Sequence, residues 1–351
     1  MCIRFGRTGS SAERVSTGRI TTLSCPGCVT NDRRMYDELR AICDEHGVFL
    51  RREALALGHT DRTLARAIRA KVIHRVRHGS YVYRSVWDDL TPDRRHVLRA
   101  RAVLRTAKAH VALSHSTAVL LHGAPCWEIP LDDVHVTRTD GRCGRNEAGV
   151  AQHRGRLLPS DVGEIDGLRV TSATRTALDL TTVCDVEHCL PVFDHFLRHG
   201  STSKQTLRRG AEAMKHWPES LCTDLVIRLA NPRCESVGES RSSYLFWRHG
   251  IPAPETNYEI HDSSGRLIAR VDFAWPELGV FLEFDGKEKY LKYLREGESV
   301  VDAVRREKKR EERICRLTGW RCIRITWADL YHPEKTAALI HAVLAGGPVH
   351  A

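Results

Sequence analysis

No stretch of this 351-residue sequence approaches the ~18 consecutive apolar residues of a membrane-crossing helix, and its start has no continuous apolar run of the kind that directs secretion. These absences predict a cytoplasmic protein with no membrane partner. Cys25 and Cys28 form a lone CxxC, and no second pair at zinc-finger spacing complements it, so it is not read as a metal site. The 12 cysteines are scattered along the chain, which predicts reduced thiols used mainly for packing. No nucleophile elbow occurs. Ser114 beside His115, with Asp179 further on, is therefore read as packing and capping rather than as a hydrolase triad. His195 and His199 have i, i+4 spacing but lack an adjacent Glu and a third ligand, and are read as an ordinary helical pair.

Basic charge is abundant. Lys and Arg number 54 against 44 Asp and Glu, a net charge of +10, which favours a polyanionic partner and points first to nucleic acid. At 42% hydrophobic and 28% charged residues the chain is globular, and its length exceeds what one core usually serves, so two or three domains are expected. Residues 1–34 carry a net +4, are rich in Gly, Ser, Thr and Arg and show no period; they are read as a disordered leader, or as the product of a start codon assigned too early.

From Met35 the pattern turns helical. Leu39, Ile42 and Cys43 make an apolar stripe that stops at Gly47, and Arg51 to Leu57 makes a second short helix. Gly58 supplies a turn, Thr60 caps a third helix through Ala70, and "VIHRVRHGSYVY" follows as a two-stranded wing with Gly79 near its tip. This order predicts a winged helix-turn-helix over 35–86, whose third helix enters the major groove. Arg62, Arg66 and Arg69 fall at i, i+4, i+7 on one face of that helix, and Lys71, Arg75 and Arg77 continue the charge against Asp61 alone. With His74, His78, Tyr81 and Tyr83 interleaved, the segment reads as a DNA-binding surface.

Residues 87–183 read as a mixed α and β domain and 184–233 as a helical connector. The winged segment, with "LSHSTAVLLHGAP" and "VTSATRTALDL", resembles the abortive-infection type IV antitoxin family over about residues 36–183. That resemblance implies a bacterial regulator acting on an operator or with a partner toxin.

A different chemistry is written into "VDFAWPELGVFLEFDGKEKY". Phe281, Glu283 and Asp285 alternate with Val280, Leu282 and Phe284, so the two acids share one face of a strand, and a hairpin turn at Pro276 to Gly279 brings Asp272 beside them. Crowded carboxylates in an apolar setting repel and lose hydration, and a divalent cation such as Mg²⁺ (or Mn²⁺) relieves both penalties. The alternative is a set of edge carboxylates facing water or paired with Lys287, Lys289 and nearby arginines.

"GESRSSYLFWRHGIP", the acidic hairpin and "EKKREERICRLTGWRCIRITWADL" resemble the very-short-patch-repair-like endonuclease domain of the PD-(D/E)XK superfamily over about residues 234–345. The resemblance implies a restriction-endonuclease-like α/β core at 234–346, with Glu239 the helix-borne acid, Asp272 the central metal ligand and Glu283 the second acid. Where the superfamily places lysine, this chain has Asp285; that residue becomes a further ligand, while the lysine's role passes to Lys287 or Lys289 or is lost. Arg306, Arg310 and Arg313 on the basic helix would hold the DNA strand. The expectation is an α+β multidomain, DNA-binding protein that hydrolyses phosphodiesters with Mg²⁺; the alternative is a non-catalytic regulator or antitoxin-like repressor using the nuclease-like fold as a scaffold.

Overall fold

Three sheets, each with its own apolar face and its own helices, make up the described part of the chain; the computed structural model describes residues 29–140, 148–262, 264–286 and 299–348. Cys25, Cys28, Lys287 and Lys289 lie outside those residues. The protein is a mixed α+β multidomain chain. Among the described residues no helix is long and apolar enough to cross a membrane.

The first unit runs α1 (Val29–His46), β1 (Phe49–Leu50), α2 (Arg51–Ala56), α3 (Asp61–Arg69), β2 (Ile73–Arg77) and β3 (Ser80–Tyr83), with sheet order β1-β3-β2. Helix α1 begins upstream of the expected Met35, because neither Gly nor Pro interrupts 29–46 to stop it. Leu39, Cys43, Phe49, Leu64, Ile73, Tyr81 and Tyr83 build its core. Tyr81 and Tyr83, expected on the binding surface, instead pack against Phe49, whose ring centre lies 5.6 and 6.1 Å from theirs. All four residues of β3 are buried, so the period-2 reading of that strand gives way to a central position between two neighbours.

The second unit holds α4 (Arg84–Asp88), α5 (Pro92–Thr106), β4 (Val111–Leu113), α6 (His115–Leu121), β5 (Val134–Arg138), β6 (Val150–His153), β7 (Val162–Ile165), β8 (Leu168–Thr171) and α7 (Ala173–Leu180). Its five strands take the order β6-β5-β4-β8-β7. The stretch expected as a connector is instead part of a large apolar core. Helices α8 (Val186–Arg198), α9 (Lys204–Met214) and α10 (Thr223–Leu229) pack with α7 through Leu178, Leu190, Phe193, Phe196, Leu207 and Val226. Burying each Leu or Phe contributes about 1.5–3 kcal/mol, which is why "CLPVFDHFL" cannot remain a solvated linker.

The third unit is α11 (Val237–Arg248), β9 (Glu255–His261), β10 (Leu267–Trp275), β11 (Val280–Asp285), α12 (Val300–Thr318), β12 (Arg321–Thr326), α13 (Trp327–Leu330) and α14 (Pro333–Leu344). Strands β9, β10 and β11 are antiparallel neighbours, and β12 adds in parallel to β11. Phe273, Leu282, Phe284, Ile323 and Ile325 face α11 and α14, whereas Phe281, Ala274 and Cys322 face Ile314 of α12. Gly238 is required where α11 crosses the sheet, since a Cβ there would overlap the Phe284 ring.

Two buried charged groups tie the second unit to the third. Arg241 of α11 is 4% exposed, pairs with Glu187 of α8 at 2.7 Å, and lies over Trp127 at 4.1 Å, Tyr331 at 5.0 Å and Trp327 at 5.7 Å. Asp194 of α8 accepts hydrogen bonds from the Asn231 backbone N–H and the Ser240 hydroxyl, both at 2.6 Å. Burial raises the Asp194 pKa to about 7. Its folded pKa therefore exceeds its unfolded value of about 3.9, so the folded state pays for ionisation as pH climbs from that value to neutrality. The Asp194→Asn variant, compared with wild type by urea unfolding, is expected to gain stability at pH 8 relative to its position at pH 5. A difference that is constant across that range would show that Asp194 ionises in the fold without penalty.

Candidate nucleic-acid interface and carboxylate site

Thr60 caps α3, accepting from the Thr63 N–H at 3.2 Å, and the helix turns Leu64 and Ala67 inward. The opposite side exposes Arg62, Arg66 and Arg69, as the spacing predicts. Lys71 adopts a left-handed conformation (φ 55°) just past the helix, where the Val72 N–H donates back to the Ala67 carbonyl at 3.0 Å and turns the chain into β2. Arg75 is exposed on β2, and Arg77 is half-buried and engaged. The hairpin tip is held because the Arg51 N–H donates to the Gly79 carbonyl at 2.9 Å.

The one acid of this segment is drawn away. Asp61 is gripped by Arg51 of α2 through two bonds, at 2.7 and 2.5 Å, which lower its pKa. Among the described residues, Arg62, Arg66, Arg69, Lys71 and Arg75 have no carboxylate partner. His74 stacks on Trp87 at 4.3 Å, with burial lowering its pKa, so it is a packing residue; His78 is exposed.

Glu283 and Asp285 do come together, in the company of arginines that the alternative reading of the sequence expected. Strand register sets Glu283 of β11 beside Arg324 of β12. Arg310 of α12 donates to Glu283 at 2.7 Å, and the other Glu283 oxygen lies 3.7 Å from Arg324. Arg324 also donates to Asp285 at 3.1 Å and to Glu311 at 2.6 Å. Burial works against the Arg324 charge, yet the Glu311 bond, with Asp285 and Glu283 near, holds its pKa above the usual arginine value. Asp272 accepts from the Phe284 backbone N–H at 2.8 Å, where the β10–β11 ladder ends.

Glu239 is buried, and its carboxylate folds back on its own helix start, accepting from the Ser236 hydroxyl at 2.7 Å and the Glu235 N–H at 2.9 Å. Ser236 in turn caps α11 by accepting from the Glu239 N–H at 3.2 Å, a reciprocal arrangement that uses both groups locally. Arg310, expected to reach for DNA, points inward and also donates to the Arg270 carbonyl at 2.6 Å. Arg306 is half-exposed and engaged, whereas Arg313 is exposed.

These contacts bear on Mg²⁺. Negative side chains on an apolar sheet need neutralising, and here guanidinium groups supply the positive charge. A resident cation would have to displace Arg310 or Arg324 from Glu283 and Asp285, and would compete with the Phe284 N–H for Asp272. The described residues in this arrangement do not fit a resident Mg²⁺. Arg324 had a signal in the sequence: in "CIRIT" it alternates with Ile323 and Ile325, and so must leave the apolar face.

Ser114 is fully buried, as the packing expectation has it, but it is not a cap. It sits at the start of α6 without capping it, and bonds instead to the neighbouring His115 ring at 2.9 Å. A left-handed backbone at His115 (φ 49°) swings that ring back toward its neighbour. Asp179 is elsewhere, paired with Arg175 at 2.7 Å.

No protein-family profile matches the chain. Two Mycobacterium tuberculosis proteins, MT2308 of strain CDC 1551 and Rv2248 of strain H37Rv, are each 25% identical over 177 residues, which is 50% of this chain and 62% of theirs; both carry the description "uncharacterized protein". The chain thus matches less than two thirds of the length of these relatives. The crystal structure of the RV2827C protein from Mycobacterium tuberculosis superposes with a TM-score of 0.41 at 11% identity, over 67% of this chain and 84% of that one.

Proposed function

We propose that this is a DNA-binding protein in which residues 36–83 form a winged helix-turn-helix. On this reading α3 lies in the major groove and the β2–β3 hairpin grips the backbone beside it. The C-terminal unit, with a helix, three antiparallel strands, a helix and a parallel strand, follows the plan of a restriction-endonuclease-like core and serves as a scaffold rather than a cutter. The observation that carries the proposal is the row of exposed cations Arg62, Arg66, Arg69, Lys71 and Arg75, which have no carboxylate partner among the described residues while Arg51 holds Asp61 away. Phosphates are the anions that such a surface lacks, and their contacts supply most of the affinity of a DNA-binding module.

A second reading is hydrolysis of phosphodiesters with Mg²⁺ or Mn²⁺. It is what the resemblance of this unit to the very-short-patch-repair-like domain implies, and it requires a cation to displace Arg310 and Arg324 from Glu283 and Arg324 from Asp285. One experiment separates the two. Labelled duplex DNA is incubated with the purified protein and Mg²⁺, then run on native and denaturing gels. The expected result is a retarded band and intact strands. Cleavage that disappears in both Asp272→Ala and Glu283→Ala would replace the scaffold reading with the nuclease, and failure to retard any duplex would remove DNA binding altogether.

A further inference from the structure

The second unit contains a cluster of ligating groups that lies outside both sites described above. His115 opens α6, His135 lies on β5 and His153 ends β6, and each contributes a ring nitrogen to a set whose members all lie within 4.8 Å of one another. Among the described residues this is the one place where three such groups converge. Strand pairing brings it about: β4 is antiparallel to β5 with Leu113 opposite Val136, and β6 is parallel to β5 with Thr137 opposite His153. The left-handed backbone at His115 then turns its ring over the same end of the sheet, where it stacks on His153 with ring centres 3.5 Å apart.

The hydrogen bonding around the trio is incomplete in a telling way. His115 Nδ1 is held at 2.9 Å by the Ser114 hydroxyl oxygen, which accepts from the Thr137 hydroxyl at 2.8 Å. This fixes one nitrogen of the ring and leaves Nε2 with a contact of only 3.5 Å, to Thr182. His153 Nε2 and His135 Nδ1 approach to 2.9 Å, so one of the two nitrogens must hold a proton and the other a lone pair. Burial lowers the pKa of all three rings, that of His153 to about 4, which favours the neutral imidazole that a metal binds.

We propose that His115, His135 and His153 bind a divalent transition-metal ion of the Zn²⁺ class, with water in the fourth position. Zinc takes imidazole nitrogens at about 2.0–2.1 Å, and tetrahedral geometry then sets its ligand atoms about 3.3 Å apart, so binding would draw His115 in, turn it off the face of His153, and part His135 and His153 slightly from their 2.9 Å approach. The donors are all nitrogen, which disfavours Mg²⁺ and Ca²⁺. The Ser114 and Thr137 hydroxyls are the outer hydrogen-bonding groups that orient a ligating imidazole. A bound ion would pin the start of α6 to strands β5 and β6. The inference stands independently of the DNA-binding reading.

The test uses the full chain carrying Cys25→Ser and Cys28→Ser, so that this thiol pair cannot contribute. After removal of metal with EDTA, the protein is titrated with Co²⁺ by visible absorption and with Zn²⁺ by calorimetry. The expected result is a single equivalent bound at micromolar affinity or better, visible bands of low-symmetry Co²⁺, and a rise in melting temperature with Zn²⁺. His153→Gln, at a half-buried strand end, is expected to weaken Zn²⁺ binding by about 100-fold or more while its metal-free melting temperature stays near that of the parent. His135→Gln repeats the measurement should His153→Gln fail to fold. Absence of saturable binding in the parent, or equal binding in a folded histidine variant, overturns the site.

Discussion

Replacing Arg62, Arg66 and Arg69 together with alanine should weaken binding to duplex DNA by about 10²–10³-fold, at a cost of roughly 1–1.4 kcal/mol per contact. The three side chains project from one face of α3, and none has an ion pair among the described residues, so their removal exposes no buried charge and breaks no packing contact. The inward residues Leu64 and Ala67 and the Thr60 cap are untouched. Fold and affinity are therefore separable: the triple variant should unfold at the wild-type urea concentration while its complex fails to form. Fluorescence anisotropy with a labelled duplex reads the affinity. A loss of less than about threefold would place the binding surface elsewhere, because three surface phosphate contacts must together exceed that.

Arg241→Ala should produce the largest loss of stability, about 3–5 kcal/mol, because it breaks a nearly buried ion pair and empties a slot between three aromatic rings. The guanidinium does several things at once. It neutralises Glu187, donates to the Leu330 carbonyl at 3.4 Å, and lies against Trp127, Trp327 and Tyr331. Those partners belong to the second unit, whose core includes α8, and to the third, so one side chain couples the two. The melting temperature should fall by about 5–10 °C. Arg241→Lys keeps the charge but not the planar fork, and should recover only part of the loss. A change below about 1 kcal/mol in Arg241→Ala would mean that the rings close over the gap and the coupling is carried by the apolar core.

What the sequence made legible was local. Thr60, Gly79 and the i, i+4, i+7 arginines of α3 announce themselves within a few residues, and the helix, hairpin and exposed face appear where their spacing puts them. The same holds for β10, β11 and the Pro276 to Gly279 turn, where Gly279 takes its left-handed conformation. Partners distant in sequence were not legible. That Glu283 and Asp285 are satisfied by Arg324 depends on the parallel pairing of β12 with β11, which only the assembled sheet reveals.

Tyr81 and Tyr83 read as surface residues because wings are often half-exposed, and they are core because α1 and Phe49 cover them. The three histidines come from three elements whose proximity follows from the order β6-β5-β4, and no spacing in the chain encodes that order. Arg241 reads as one more helical charge until Trp127 and Trp327 are seen packed against it.

The measurement that bears most directly on the central claim is the salt dependence of DNA binding. Exposed cations that exchange counterions for phosphates give a linear plot of log K against log salt, with a slope near −0.9 per contact. For the five cations from Arg62 to Arg75 the expected slope is about −4.5, and the triple arginine variant should flatten it by about 2.7 units. A slope near zero, or one that the three substitutions leave unchanged, would contradict the assignment of this surface to DNA.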